Sequence, residues 1–197
     1  MLEKILILFV VLTMAAAPDA AAQLFDRPNR INVHLTGGKS ITTWHGQADY
    51  QALNVETSRA ISNRTELGIV VSPMQFWRPR SWFGDQYGDG NEKVYGIAGS
   101  LLGRYHFGSD SSAIRPYVEL AGGPMWTTKQ VPAATSQLNF ITQPGFGVTL
   151  FPRERYALVV GYRFAHISNS GLASRNPGLN VHSFLIGTQL RPMPGRR

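Results

Sequence analysis

His166 and Ser168 stand two residues apart at the end of an apolar run, Tyr156 to Asn169. An imidazole and a hydroxyl at that spacing are the parts of a base-activated serine. Read as a β-strand, the run places Tyr156, Leu158, Val160, Tyr162, Phe164, His166 and Ser168 on one face. Ala157, Val159, Gly161, Arg163 and Ala165 fall on the other. Alternate residues of a strand have Cα atoms roughly 6 to 7 Å apart and side chains on the same side, so ring and hydroxyl can approach hydrogen-bonding range. Taken singly the features are ordinary: a strand-end His often serves as an interfacial hydrogen-bonding residue, and Ser, Asn, Gly and Pro make turns. As a spaced set on an apolar face they are unusual, because ionisable groups are rare where a wall meets lipid.

Positioning such a set requires strands, and strands are what the chain offers. Eight segments have strand character, at 30–38, 49–59, 64–74, 93–108, 114–128, 137–151, 156–168 and 180–190, bounded by Gly, Pro, Asn, Asp and Ser. Several alternate cleanly: Ile31, Val33 and Leu35 against Asn32, His34 and Thr36, and Thr65, Leu67, Ile69 and Val71 against Glu66 and Gly68. Most match the 9 to 11 residues or so that a tilted strand needs to cross a bilayer. Connections after the second, fourth and sixth segments are short and the others longer, as in an outer-membrane barrel with both termini in the periplasm. The expected fold is all-β, an eight-stranded antiparallel up-and-down transmembrane β-barrel, with residues 169–179 outside. The longest connection, 75–92, mixes Phe76, Trp77, Trp82, Phe83 and Tyr87 with Arg78 and Arg80, a composition suited to the lipid headgroup level. A soluble lipocalin-like barrel also has eight strands. It is disfavoured because Arg163, Glu66, Asn32 and His34 lie opposite the bulky apolar faces, which suits a polar lumen with lipid outside.

At the N-terminus, Lys4, the apolar run from Ile5 to Ala17 and Ala20-Ala21-Ala22 read as a secretory signal peptide over residues 1–22, leaving a single barrel domain over 23–197. Cys is absent, which excludes disulfides, thiolate catalysis and Cys-based metal sites. The net charge of +7 points to an acidic surface or ligand as the neighbour. An export signal without a recognition helix or zinc spacing argues against nucleic acid. No G-x-S-x-G, H-E-x-x-H or phosphate-binding loop is present. His34, His45, His106 and His182 lack ligand spacing and read as lumen, loop or interface residues. Glu119 reads as a buried lumen partner for Arg104 or Arg163.

His166-Ile167-Ser168-Asn169-Ser170-Gly171, followed by Asn176-Pro177-Gly178-Leu179-Asn180, resembles the signature of the PagL-type lipid A 3-O-deacylases, eight-stranded outer-membrane esterases. The motif resemblance covers roughly the final quarter of the chain. It implies hydrolysis of the ester-linked 3-hydroxyacyl chain at the 3-position of lipid A, within lipopolysaccharide and among outer-membrane lipids, with no metal or cofactor. By the same resemblance Ser168 is the nucleophile and His166 the general base. Asn169, Asn176 and the backbone amide of Gly171 are candidate oxyanion donors. The departure is Asn180, which stands where the family pattern has a glutamate to orient the histidine. Its carbonyl oxygen can still accept from an imidazole N–H but brings no charge. The alternative expectation is a non-catalytic outer-membrane barrel with a structural or adhesive role.

Overall fold

The computed structural model describes residues 30–41, 46–81, 93–109, 111–132 and 135–191. The expected signal peptide, His45 and the end of the basic tail lie outside them. Eight strands follow one another: β1 (Arg30–Ser40), β2 (Gly46–Ala60), β3 (Thr65–Ser81), β4 (Lys93–His106), β5 (Ile114–Thr127), β6 (Leu138–Leu150), β7 (Tyr156–Ser168) and β8 (Leu179–Leu190). Each pairs antiparallel with its neighbours, and β8 closes on β1 to complete the barrel. Among the described residues no helix is long and apolar enough to cross a membrane. Closure is what permits such a sheet to sit in lipid, since no edge strand is left with unpaired backbone groups.

The alternation in the sequence becomes the inside and outside of the wall. On β1, Arg30, Asn32, His34 and Thr36 are buried in the lumen while Leu35 is exposed. Elsewhere Leu53, Val55, Leu67, Val71, Ile97, Leu120, Phe146, Val160, Phe184 and Ile186 are exposed large apolar side chains on the outer face. So many exposed apolar side chains would be a liability in water, and they form a surface matched to hydrocarbon.

The lumen is filled in two zones. Toward the short turns lies a set of buried charges centred on Arg104. Its Nη1 and Nη2 donate to Glu56 Oε1 and Oε2 at 2.9 and 3.0 Å. Its Nε and Nη2 donate to Glu119 Oε2 at 3.0 and 2.7 Å. Glu119 Oε1 in turn accepts from Arg163 Nε at 2.6 Å, as the sequence suggested for this carboxylate. Glu66 accepts from Arg30 and Ser58 and contacts His106 Nε2 at 2.9 Å. Toward the longer loops the filling turns apolar, with Tyr50, Met74, Phe76, Ile141, Ile167 and Leu179 in one cluster. Val131, from the β5–β6 connection, joins them.

The boundary that differs most from the sequence reading is the end of β3. β3 runs to Ser81 instead of stopping near Met74, because Gln75, Phe76 and Trp77 continue the pairing with Tyr95, Val94 and Lys93 of β4. Phe76 therefore does not lie at the headgroup level. It is buried in the lumen against Tyr50, with ring centroids 5.3 Å apart. The residues 82–92 of that connection lie outside the described residues.

Glu119→Ala leaves two buried guanidinium groups short of a carboxylate, and it should destabilise the barrel by roughly 3–5 kcal/mol. Urea unfolding in detergent micelles, followed by loss of the heat-modifiable folded band, measures it; an unchanged midpoint would show the network to be inessential.

Candidate active site

β7 and β8 place the chemistry-bearing residues in one register. His166 is the cross-strand partner of Asn180, and Ile167 that of Leu179. Ile167, Leu179, Ala165 and Val181 point inward and are buried in the apolar cluster, so His166 and Asn180 must point outward. Packing of one parity thereby fixes the direction of the other. Side by side on the outer wall, His166 Nδ1 lies 2.7 Å from Asn180 Oδ1. Since Oδ1 is an acceptor, this contact requires the imidazole to carry its proton on Nδ1, which leaves Nε2 as a basic nitrogen.

Ser168 follows His166 on the same outward parity and is itself buried. Its cross-strand partner on β6 is Phe140, and that of His166 is Thr142. The serine and the histidine thus share one short stretch of outer wall between β6 and β8, with an aromatic ring and a hydroxyl beside them. Gly178 completes the ring's surroundings. A Cβ built at Gly178 would stand 3.0 Å from His166 Cε1, so the glycine lets the β7–β8 connection close over one face of the imidazole. The sequence reading treated Gly178 as a turn residue; the signal for its contact with His166 is absent from the sequence, since it depends on how the connection folds back.

That connection, 169–178, is held by its own hydrogen bonds. Asn169 is fully buried and ties three points together. Its backbone N–H donates to Asn176 Oδ1 at 2.9 Å, its Nδ2 donates to the Arg175 carbonyl at 2.8 Å, and its Oδ1 accepts from the Gly171 N–H at 2.9 Å. Ser170 and Gly171 are both left-handed, with φ of 54° and 78°, which makes the sharp exit from β7. These bonds tie Asn176 and Gly171 to Asn169, the residue that follows Ser168. The Gly171 amide is engaged inside the loop by Asn169 Oδ1.

A second imidazole, His182, lies outward on β8 one alternate position from Asn180. It hydrogen-bonds through Nδ1 to the hydroxyl of Tyr162 on β7 and packs edge-on against Phe164, with ring centroids 5.6 Å apart. Sequence reasoning left His182 without a role because its partner comes from the neighbouring strand. Among the described residues no group of three or more His, Asp or Glu side chains is arranged to hold a metal ion.

Comparison with solved structures returns outer-membrane barrels. The crystal structure of the outer membrane enzyme PagL superposes with a TM-score of 0.57 at 17% identity, covering 82% of this chain and 99% of that one. The crystal structure of Neisserial surface protein A gives 0.55 at 14% identity, covering 83% and 96%. That of the outer membrane protein OprG from Pseudomonas aeruginosa gives 0.52 at 14%, covering 84% and 95%. At such identities the likeness is one of fold. No curated protein sequence matches the chain. The sequence model described as lipid A 3-O-deacylase (PagL) matches residues 63–189, from the turn before β3 almost to the end of β8 and including every residue of the site. With more than half of its length matched and the His-Ser-Asn constellation inside the match, the chain belongs to the lipid A 3-O-deacylase (PagL) family.

Proposed function

We propose that this outer-membrane barrel is a serine esterase that hydrolyses the ester-linked 3-hydroxyacyl chain at the 3-position of lipid A, in the lipopolysaccharide leaflet. The observation that carries the reading is the outward His166–Asn180 hydrogen bond, two residues from Ser168 on a lipid-facing wall. A site in the lumen would have to draw an acyl chain through a packed core. A site on the outer face receives it laterally from the leaflet, already concentrated and oriented.

In this mechanism His166 Nε2 takes the Ser168 hydroxyl proton as Oγ attacks the ester carbonyl carbon. The tetrahedral oxyanion is met by amide donors of the 169–178 connection, from Asn169 or Asn176, since the Gly171 N–H is held by Asn169 Oδ1. Collapse breaks the bond to the sugar 3-oxygen, and the imidazolium returns its proton to that alkoxide. An acyl-serine remains. Water, deprotonated by His166, then releases the 3-hydroxy fatty acid and restores Ser168. Asn180 orients the ring and selects its tautomer. As a neutral amide it stabilises the imidazolium less than a carboxylate would, because charge-assisted hydrogen bonds are about twice as strong as neutral ones.

A second reading, a barrel with a structural or adhesive role, draws its support from that same neutral Asn180. The two separate in mass spectrometry of hexa-acylated lipid A incubated with the refolded protein in detergent. The esterase reading expects loss of one 3-hydroxyacyl group, and a spectrum unchanged by the wild type would sink it. Ser168→Ala should lower cleavage by roughly 10³-fold or more while the heat-modifiable folded band persists, since Ser168 contributes nothing to the lumen packing. Asn180→Glu should raise kcat, by about tenfold if a charged partner replaces a neutral one, and should leave a structural barrel inert. Gly178→Val should depress kcat by displacing the imidazole, with the fold retained; full activity in that variant would mean that the contact with His166 does not position the ring.

A further inference from the structure

We infer that Lys39 and His182 form a phosphate subsite on the outer wall beside His166, which seats a phosphomonoester carried by the acylated sugar of the substrate. The inference rests on the lipid A esterase reading and adds to it the group by which the glycolipid is held.

Lys39 is exposed on β1 and directly opposes His182 of β8, whose own partner on β7 is Phe164. All three have outward parity. Among the described residues no ion pair engages Lys39. His182 is held at Nδ1 by the Tyr162 hydroxyl. We assign that hydroxyl as the donor, which puts the ring proton on Nε2 and gives exposed His182 an N–H donor. The pair lies in apolar company, with Phe146, Phe164 and Phe184 packed about Tyr162 and His182. A cation and an oriented donor on such a wall are costly unless they meet a ligand there.

Their place relative to the serine fits a single headgroup. The Lys39–His182–Phe164 row is one alternate position below the His166–Asn180 row along the strands. Following the registers from His166 through β6, β5, β4, β3, β2, β1 and β8 returns to β7 at Tyr156, nearer the short turns, so rows climb toward the loops in the opposite sense, from β7 through β8 to β1. Strand tilt thereby restores Lys39 to about the depth of His166, two strand spacings, roughly 10 Å, around the wall. A lysine side chain spans much of that interval, and the rest is the width of a sugar ring.

Asp49 of β2 faces Lys39 from the other side and is the charge that an incoming anion must outcompete. A phosphomonoester carries about 1.5 to 2 negative charges at pH 7 and can do so. A phospholipid phosphodiester carries one charge and is evenly matched by the carboxylate. The subsite therefore selects the sugar phosphate of the substrate over the headgroups of surrounding lipid.

The test uses the full-length refolded barrel in neutral detergent with two glycolipids of equal acylation, one bearing a phosphomonoester on the acylated sugar and one dephosphorylated there. Lys39→Gln and His182→Gln should each raise KM for the phosphorylated substrate about tenfold, the size expected for a lost charged hydrogen bond, with kcat within about twofold. KM for the dephosphorylated substrate should not change. Equal effects on both substrates, or none on either, would overturn the subsite. In a parallel arm, binding of the phosphorylated glycolipid to Ser168→Ala protein is measured with and without Lys39→Gln. Lys39-dependent binding in a wild type that cleaves nothing sinks the esterase and keeps the subsite; cleavage with Lys39-independent binding does the reverse. Phosphatidylglycerol that competes as well as the glycolipid would overturn the assignment to a sugar phosphate.

Discussion

Closure of β8 on β1 is the constraint from which the remaining architecture follows. Hydrocarbon offers no partner to a backbone N–H or C=O, so every strand must be paired on both sides, and a sheet without edges is the way to do so. Once the sheet is closed, each strand has one face toward the lumen and one toward lipid, and a slip of one residue would exchange them. Register is therefore held by polarity along the whole circumference. His166 opposite Asn180 is one consequence of a register that Ile167, Leu179, Ala165 and Val181 enforce from the inside.

The buried acids of the lumen are paired. Arg104 bridges Glu56 and Glu119, Arg163 binds the other oxygen of Glu119 and Arg30 binds Glu66, so three acids meet three guanidinium groups. Such a network is stabilising only while complete, because any unpaired member is a buried charge. The proposed site sits on the outer wall, on the apolar surface that anchors the barrel.

Asn180 sets the electrostatic character of the site. Its oxygen accepts from the imidazole and fixes the ring on the outer wall, which a glutamate would also do, but it cannot offset a positive charge on the ring. Geometry and charge are thus separable here, and the geometry is retained. The connection 169–178 is built around Asn169 rather than around any single glycine, and its three hydrogen bonds bring Asn176 and Gly171 to the end of β7.

Eight strands, their parity and the alternation of short turns with longer loops were legible in the linear pattern, since a period of two is a local property and lipid imposes it on every segment. The bounds of β7 were read to the residue, and the Glu119 partnership with Arg104 and Arg163 was anticipated from parity alone. The extension of β3 was not, because Phe76 resembles an interfacial ring until its contact with Tyr50 and its pairing with β4 are known. In the site, residue types and the spacing of His166 and Ser168 came from the sequence, as did the family motif. The contact of Gly178 with the imidazole, the tie of Tyr162 to His182 and the approach of Lys39 to His182 did not. Each joins residues on different strands or across a connection, and cross-strand register is a property of the closed sheet, not of any one segment within it.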